Sequence, residues 1–153
     1  MNIVIRLARK DDAPIIAEFN GSMAAETEGI RLERTRLVKG VEALLADTNK
    51  GVYYVAEVDG RVVGQLMITY EWSDWRNAIF WWIQSVYVHP EFRGKGVFRK
   101  IYRHVESRAK TVGDVCGMRL YVEKGNERAH KTYESLGMKK SHYDMMDIDF
   151  DLQ

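Results

Sequence analysis

The stretch from Ala78 to Val122 constrains the fold more than any other part of the chain. Ala78–Val88 reads AIFWWIQSVYV, a run of apolar, aromatic and β-branched residues of strand character, interrupted only by Gln84 and Ser85. Pro90 ends it, because proline has no N–H to give a sheet. Gly94 and Gly96 punctuate the loop that follows. Val97, Ile101 and Val105 then recur on one stripe, with Phe98, Tyr102 and Ala109 beside it, so a helix is expected over residues 94–111. Met118–Val122 is a second, short strand. A strand, a helix and a strand in that order predict two neighbouring parallel strands joined by a right-handed crossover.

The rest of the pattern adds antiparallel strands to that unit. Asn2–Ala8 is a strand. Asp11 or Asp12 can cap a helix that has Pro14 in its first turn and carries Ile15, Ile16 and Phe19. Gly21–Gly29 is acidic and short-chained, a loop or a broken helix. Leu37, Val41, Leu44 and Leu45 mark a second helix, which Asp47–Gly51 ends. The period then changes to two: Val52–Val58 and Arg61–Tyr70 flank Asp59-Gly60, a strong hairpin signal. Trp72–Asn77 is turn-like. Asn126 caps a helix bearing Ala129, Tyr133 and Leu136, with Gly137 just past its end. His142–Phe150 reads as a last strand. The order is β-α-α-β-β-β-α-β-α-β, an α/β chain with a mixed sheet and helices on it. At 153 residues, with no linker or repeat, it is expected to be one domain, 1–153.

Composition removes several function classes. Lysine and arginine number 23 against 22 acids, a net charge of +1, so the basic excess of a nucleic-acid or membrane-surface binder is missing. The longest apolar run, Ala78–Ile83, falls far short of the roughly 20 residues a membrane-spanning helix needs. The N-terminus has neither the basic nor the apolar region of a signal peptide. Cys116 is the only cysteine, so no internal disulfide forms, which fits a reducing cytoplasm. It is expected to be a small buried hydrophobe. His89, His104, His130 and His142 lack metal-site spacing, and no metal is expected.

The chemistry concentrates after the long strand. Between Glu91 and Lys110 stand Arg93, Lys95, Arg99, Lys100, Arg103, Arg108 and Lys110, opposed only by Glu91 and Glu106. Two glycines let the backbone turn its N–H groups outward, and the helix start adds partial positive charge. Such a loop suits phosphate oxygens, although a solvated helix face after an ordinary turn has the same pattern. It is not a nucleoside-triphosphate loop, since no Gly-x-x-x-x-Gly-Lys-[Ser/Thr] occurs. The third glycine of a dinucleotide fingerprint is also missing.

Arg93-Gly94-Lys95-Gly96 after a Val-x-Val-x-Pro strand end, together with Asn126-x-x-Ala129-x-x-x-Tyr133-x-x-x-Gly137-Met138, resembles the GNAT superfamily of N-acetyltransferases over essentially the whole chain. Phe98 stands where that family usually has Gly or Ala. The resemblance implies a splayed pair of central parallel strands and acetyl-CoA as co-substrate. By that resemblance the N–H groups of Gly94, Lys95, Gly96, Val97 and Phe98, with Arg93 and Arg99, hold the pyrophosphate. The backbone of Val86, Tyr87 and Val88 pairs with pantetheine, and an N–H near Val86 polarises the thioester carbonyl. A kink at Gln84-Ser85 would open the strands. Tyr133 matches the family's general acid and Asn126 a cofactor contact, although a core-facing tyrosine and a plain helix cap have the same positions.

An attacking amine must first lose a proton. Glu26 and Glu28, in the acidic stretch, and Glu71 are the candidate bases, and Gln84 and Ser85 can hold a water. Glu71, Trp72 and the tryptophans that follow form either core plus the surface of a homodimer, or an aromatic, acid-edged pocket for a cationic amine. The acceptor is expected to be a small-molecule or peptide amine without net negative charge, because residues 11–50 carry eight acids and five bases. A non-catalytic acetyl-CoA-binding sensor on the same fold is the alternative.

Overall fold

The computed structural model describes residues 1–150, which form two compact units, Met1–Tyr121 and the stretch from Val122 onward. The first unit holds a five-stranded sheet in chain order: β1 (Ile3–Leu7), β2 (Val52–Val58), β3 (Arg61–Ser73), β4 (Ala78–Val88) and β5 (Val115–Leu120). β1 to β4 are antiparallel, and β5 lies parallel to β4. α1 (Ala13–Glu28), α2 (Arg34–Ala46) and α3 (Val97–Val112) complete this unit, and α4 (Glu127–Ser135) lies in the second.

The alternation of β2 shows how the helices are arranged. Tyr53 and Val55 pack with Ile16 and Ala17 of α1 and Val41 and Leu44 of α2. Their neighbours Tyr54 and Ala56 are also buried, and the Tyr54 ring meets His104 of α3 at 5.6 Å between centroids. Successive strand residues face opposite sides, so α1 and α2 cover one face and α3 the other. A strand covered on both faces is mostly apolar, as β2 is apart from Glu57 near its end. Val97, Ile101 and Val105, the stripe expected for α3, are buried to the last few square ångströms.

The mixed α/β class and the element order as far as α4 stand, with local corrections. Gly21–Gly29 is not a loop: α1 runs unbroken to Glu28, and Gly29, at φ +65°, ends it by returning its N–H to the Ala25 carbonyl. Gly21 stays helical where the Leu37 side chain comes within 3.7 Å of its missing Cβ, so packing on α2 outweighs weak propensity. β3 extends three residues beyond Tyr70. β5 begins at Val115, and Cys116 on this outer strand is exposed rather than buried. The Asp59-Gly60 turn has φ of +50° and +76°, as a tight hairpin requires.

In the second unit, Asn126 caps α4 by accepting from the Ala129 N–H at 3.0 Å, and Gly137 follows its end at φ +98°. The strand expected over His142–Phe150 is absent among the described residues. That segment is irregular, with Tyr143, Met145, Met146, Ile148 and Phe150 exposed. Alternation alone does not make a strand; a partner ladder does.

Asp12 precedes α1 as expected of a cap, yet its carboxylate does not cap the helix. It accepts from Arg6 Nη1 at 2.8 Å and Nη2 at 3.0 Å, and from the Arg9 N–H at 2.6 Å. Arg6 also pairs with Glu57, so one guanidinium ties β1 to β2 and to the start of α1. The Arg6 hydrogen bonds outweigh partial burial and hold the Asp12 carboxyl below its ordinary range. A carboxyl with a depressed folded value stabilises the fold above its unfolded value. That stabilisation disappears as pH falls through the folded value. Asp12→Asn is therefore expected to cost roughly 1–3 kcal/mol at pH 7. The difference from wild type should shrink toward pH 2, as read by urea unfolding at both pH values.

Candidate active site

β4 is paired on both sides only over its first half. Its ladder with β5 ends at Ile83–Leu120. On the other side, Gln65 pairs with Tyr87 but Met67 with Gln84, so Leu66 faces two residues, Ser85 and Val86. One extra residue on β4 is a β-bulge. Ser85 sits at φ +51°, a left-handed conformation uncommon outside glycine, asparagine and aspartate. The interruption expected at Gln84-Ser85 is therefore a bulge of the backbone.

A cavity of about 560 Å³ opens beside this bulge. Gln84 and Ser85 of β4 form one side. Glu28, Thr27 and Met23 of α1 form another, and Ile30, Leu32 and Leu37 supply an apolar wall. Gln84 is oriented by donating from Nε2 to Thr69 Oγ1 at 2.6 Å. Tyr121 lies at the end of the unit, with its ring 4.5 Å from that of Trp82.

Glu26 and Glu28, two residues apart near the end of α1, serve differently. Glu28 lines the cavity. Glu26 accepts from the Tyr87 hydroxyl at 2.9 Å and from Arg93 Nη2 at 2.7 Å. Partial burial opposes its ionisation, but Arg93 and Tyr87 together hold the carboxyl below its ordinary range. Burial and then the Glu26 carboxylate push the Tyr87 phenol upward, so it stays a donor. Arg93 also gives Nε to the Val88 carbonyl at 2.8 Å and lies over the Tyr87 ring. It thus braces the strand end against α1.

Beyond the short turn Pro90–Phe92, the loop reaches α3 through Gly94 (φ +73°) and Gly96 (φ +81°). A Cβ at either would meet no heavy atom within 4 Å, so the space over the loop is open. Left-handed glycines beside a helix start present N–H groups to one concavity, which fits a pyrophosphate. Val97 is buried beneath, whereas Lys95 and Arg99 are exposed. Phe98 points its ring toward Tyr102, 6.1 Å away between centroids.

Glu71 and Trp72 do not line the cavity. Glu71 accepts from Trp82 Nε1 at 2.8 Å and from Arg119 Nη1 at 2.9 Å, while Trp72 and Trp75 are 59% and 88% exposed. In the second unit, burial raises the Tyr133 phenol above its ordinary value.

Two buried polar residues escaped the sequence reading. Gln65 of β3 is fully buried and donates from Nε2 to Asn20 Oδ1 at 2.7 Å and to the Ser85 carbonyl at 3.1 Å. Asn20 in turn donates to the Tyr53 hydroxyl at 3.1 Å. Their signal was a lone amide inside an apolar run, Val62 to Ile68, and another on the apolar stripe of α1. No cluster of three or more metal-ligating side chains occurs among the described residues, and no helix there is long and apolar enough to cross a membrane.

Comparison with known proteins bears on this geometry. The crystal structure of a possible acetyltransferase from Clostridium difficile 630 superposes with a TM-score of 0.93 at 49% identity, covering 99% of this chain and all of that one. An uncharacterised N-acetyltransferase of Archaeoglobus fulgidus is 28% identical over 141 residues, 89% of this chain and 92% of that protein. The thialysine N-ε-acetyltransferase of Bos taurus is 35% identical over 77 residues, half of this chain and 44% of its own length. Residues 15–138 match the Acetyltransferase (GNAT) family, and with that the bulged strand, the glycine loop and the helix after it take their place: the chain belongs to the GNAT family of acetyltransferases.

Proposed function

We propose that this protein transfers the acetyl group of acetyl-CoA to a primary amine carried on an apolar body without net negative charge. The observation that carries the reading is the cavity itself, in which one carboxylate, Glu28, shares the lining with an apolar wall and the bulge of β4. Bound acetyl-CoA would supply a thioester: the amine nitrogen bonds to its carbonyl carbon, the carbon–sulfur bond breaks, and coenzyme A leaves as a thiolate.

The chain's own groups divide the remaining work. The N–H groups of residues 94–98 and the start of α3 hold the pyrophosphate, with Arg99 and Asn126 as further cofactor contacts. Backbone of Val86, Tyr87 and Val88 holds the pantetheine, and the Val86 N–H polarises the thioester carbonyl. Glu28 takes the proton that the ammonium must lose, with Gln84 and Ser85 positioned to hold a water between them. The Tyr133 hydroxyl, protonated at neutral pH, gives its proton to the departing sulfur and is restored by the second proton that the nitrogen sheds as the amide forms.

The acceptor's charge follows from the one carboxylate that the cavity presents, since several neighbouring acids are engaged elsewhere. Asp12 is held by Arg6, Glu26 by Arg93 and Asp47 by Lys50, while Glu33 accepts the Thr35 and Arg36 N–H groups at the start of α2. Glu28 is the carboxylate that lines the cavity and meets the cation, and the apolar wall selects the body that carries it. A relative whose name specifies the ε-nitrogen of thialysine is consistent with an aliphatic amine.

The decisive experiment measures thiol release from acetyl-CoA with a panel of amines. Aliphatic amines with an apolar body are expected to be the best substrates; an acidic amino acid as the best would overturn the charge argument. Binding of acetyl-CoA with no release in any case would favour the sensor.

Glu28→Gln is expected to lower kcat/KM for the amine by about 10²–10⁴-fold and leave the KM of acetyl-CoA nearly unchanged. Glu26→Gln should do the opposite, weakening acetyl-CoA through the loss of its grip on Arg93. Steady-state kinetics varying each substrate in turn separates the two. Tyr133→Phe keeps the ring and removes the donor, so kcat should fall by roughly 10²–10⁴-fold with acetyl-CoA affinity unchanged. Pre-steady-state thiol release establishes that chemistry limits the rate.

A further inference from the structure

The bulge on β4 has a holder of its own. Ser85 is neither glycine nor asparagine, and a left-handed serine persists only where its surroundings over-determine it. The contact that does so comes from β3, where Gln65 Nε2 donates to the Ser85 carbonyl at 3.1 Å. Gln65 has no solvent exposure, and its Oε1 has no partner among the described residues. A buried amide with a satisfied nitrogen and an orphaned oxygen is costly. Its orientation is nonetheless forced. Reversing the amide would set its oxygen against the Ser85 carbonyl oxygen and against Asn20 Oδ1, which now receives the same nitrogen at 2.7 Å. Asn20 is fixed from behind by its bond to the Tyr53 hydroxyl.

What the grip controls follows from peptide geometry. No peptide bond among the described residues is cis. In a planar trans peptide the carbonyl and the next N–H point in opposite directions. Holding the Ser85 oxygen toward Gln65 therefore turns the Val86 N–H away from Gln65 and Asn20. We propose that Gln65, oriented by Asn20, is a positioning residue that fixes the direction of the Val86 N–H through the Ser85 carbonyl. It thereby sets the strength with which the thioester carbonyl of acetyl-CoA is polarised. The inference rests on the reading that acetyl-CoA lies along β4.

The test reads the bond rather than the turnover. Acetyl-CoA labelled with carbon-13 at the thioester carbonyl is bound to wild type and to Gln65→Met, which keeps the volume and removes the donor. Its carbonyl stretch is followed by infrared difference spectroscopy. Wild type is expected to move the band to lower wavenumber than in free acetyl-CoA. Gln65→Met should lose most of that shift and roughly ten- to a hundredfold in kcat, with calorimetric affinity for acetyl-CoA changed by less than about threefold. Adding Ser85→Gly, which takes the left-handed conformation without strain, should shrink the cost of Gln65→Met to below about threefold relative to Ser85→Gly alone. If Gln65→Met fails to fold and the double variant folds, relief at Ser85 is the reason and the proposal stands.

A full band shift in Gln65→Met overturns it. So do an absent shift in wild type, equal costs on the two backgrounds, and failure of both variants to fold. Wild type that shifts the band but acetylates no amine removes the transfer reading and leaves this one. Turnover by Gln65→Met with an undiminished shift does the reverse.

Discussion

A backbone N–H inside a protein must be paired, and in a sheet the neighbouring strand normally pairs it. β4 meets that demand for half its length and then departs from it on both sides. Toward β5 the ladder stops at Ile83, and toward β3 an extra residue pushes Ser85 out of register. Elsewhere the first unit is a mixed sheet covered on both faces, with register shifts at Ala56–Glu57 and Ile79–Phe80. The second half of β4 does not conform, because backbone groups that a sheet would have used are released next to a cavity and a glycine loop.

Charge is distributed with the same economy. The acids of residues 11–50 look like one acidic field when counted along the sequence. In the fold Asp12 goes to Arg6 before α1, Glu33 to a helix start, Asp47 to a turn and Glu26 to the guanidinium of Arg93. Glu26 and Glu28 illustrate how far local geometry overrides sequence neighbourhood. Two residues apart on a helix is about 200° of rotation, so one carboxylate meets Tyr87 and Arg93 while the other lines the cavity.

Much of this was legible in the sequence where a residue type has one dominant physical use. The Asp59-Gly60 turn, the cap at Asn126, the glycine after α4 and the break at Gln84-Ser85 are of that kind, as is the α3 stripe. What was hidden depends on partners distant in the chain. Gly21 looks like a helix breaker until Leu37 packs over it. Glu71 looks like a base until Trp82 and Arg119 take its oxygens. Asp12 resembles a cap until Arg6 claims it. Gln65 looks like an accident in an apolar strand until Ser85 is seen to need a donor. Residues 142–150 alternate like a strand, but alternation says nothing of what would pair with them.

Gln65 has a neighbour whose part is the reverse of its own. A Cβ on Gly64 would come within 3.0 Å of Val97 Cγ1 and 3.3 Å of Ile101 Cδ1, so this glycine lets α3 lie directly on β3. Gly64 thus sets the height of the helix that carries the glycine loop on one face of the sheet. Gln65 sets the bulge from the other. Two consecutive residues of one strand act as a ruler: the span between the loop that suits a pyrophosphate and the bend at Ser85 is built into the shortest rigid unit a chain has. Helices and loops around the cavity can change, while that span stays fixed by a residue with no side chain and a residue with no exposure.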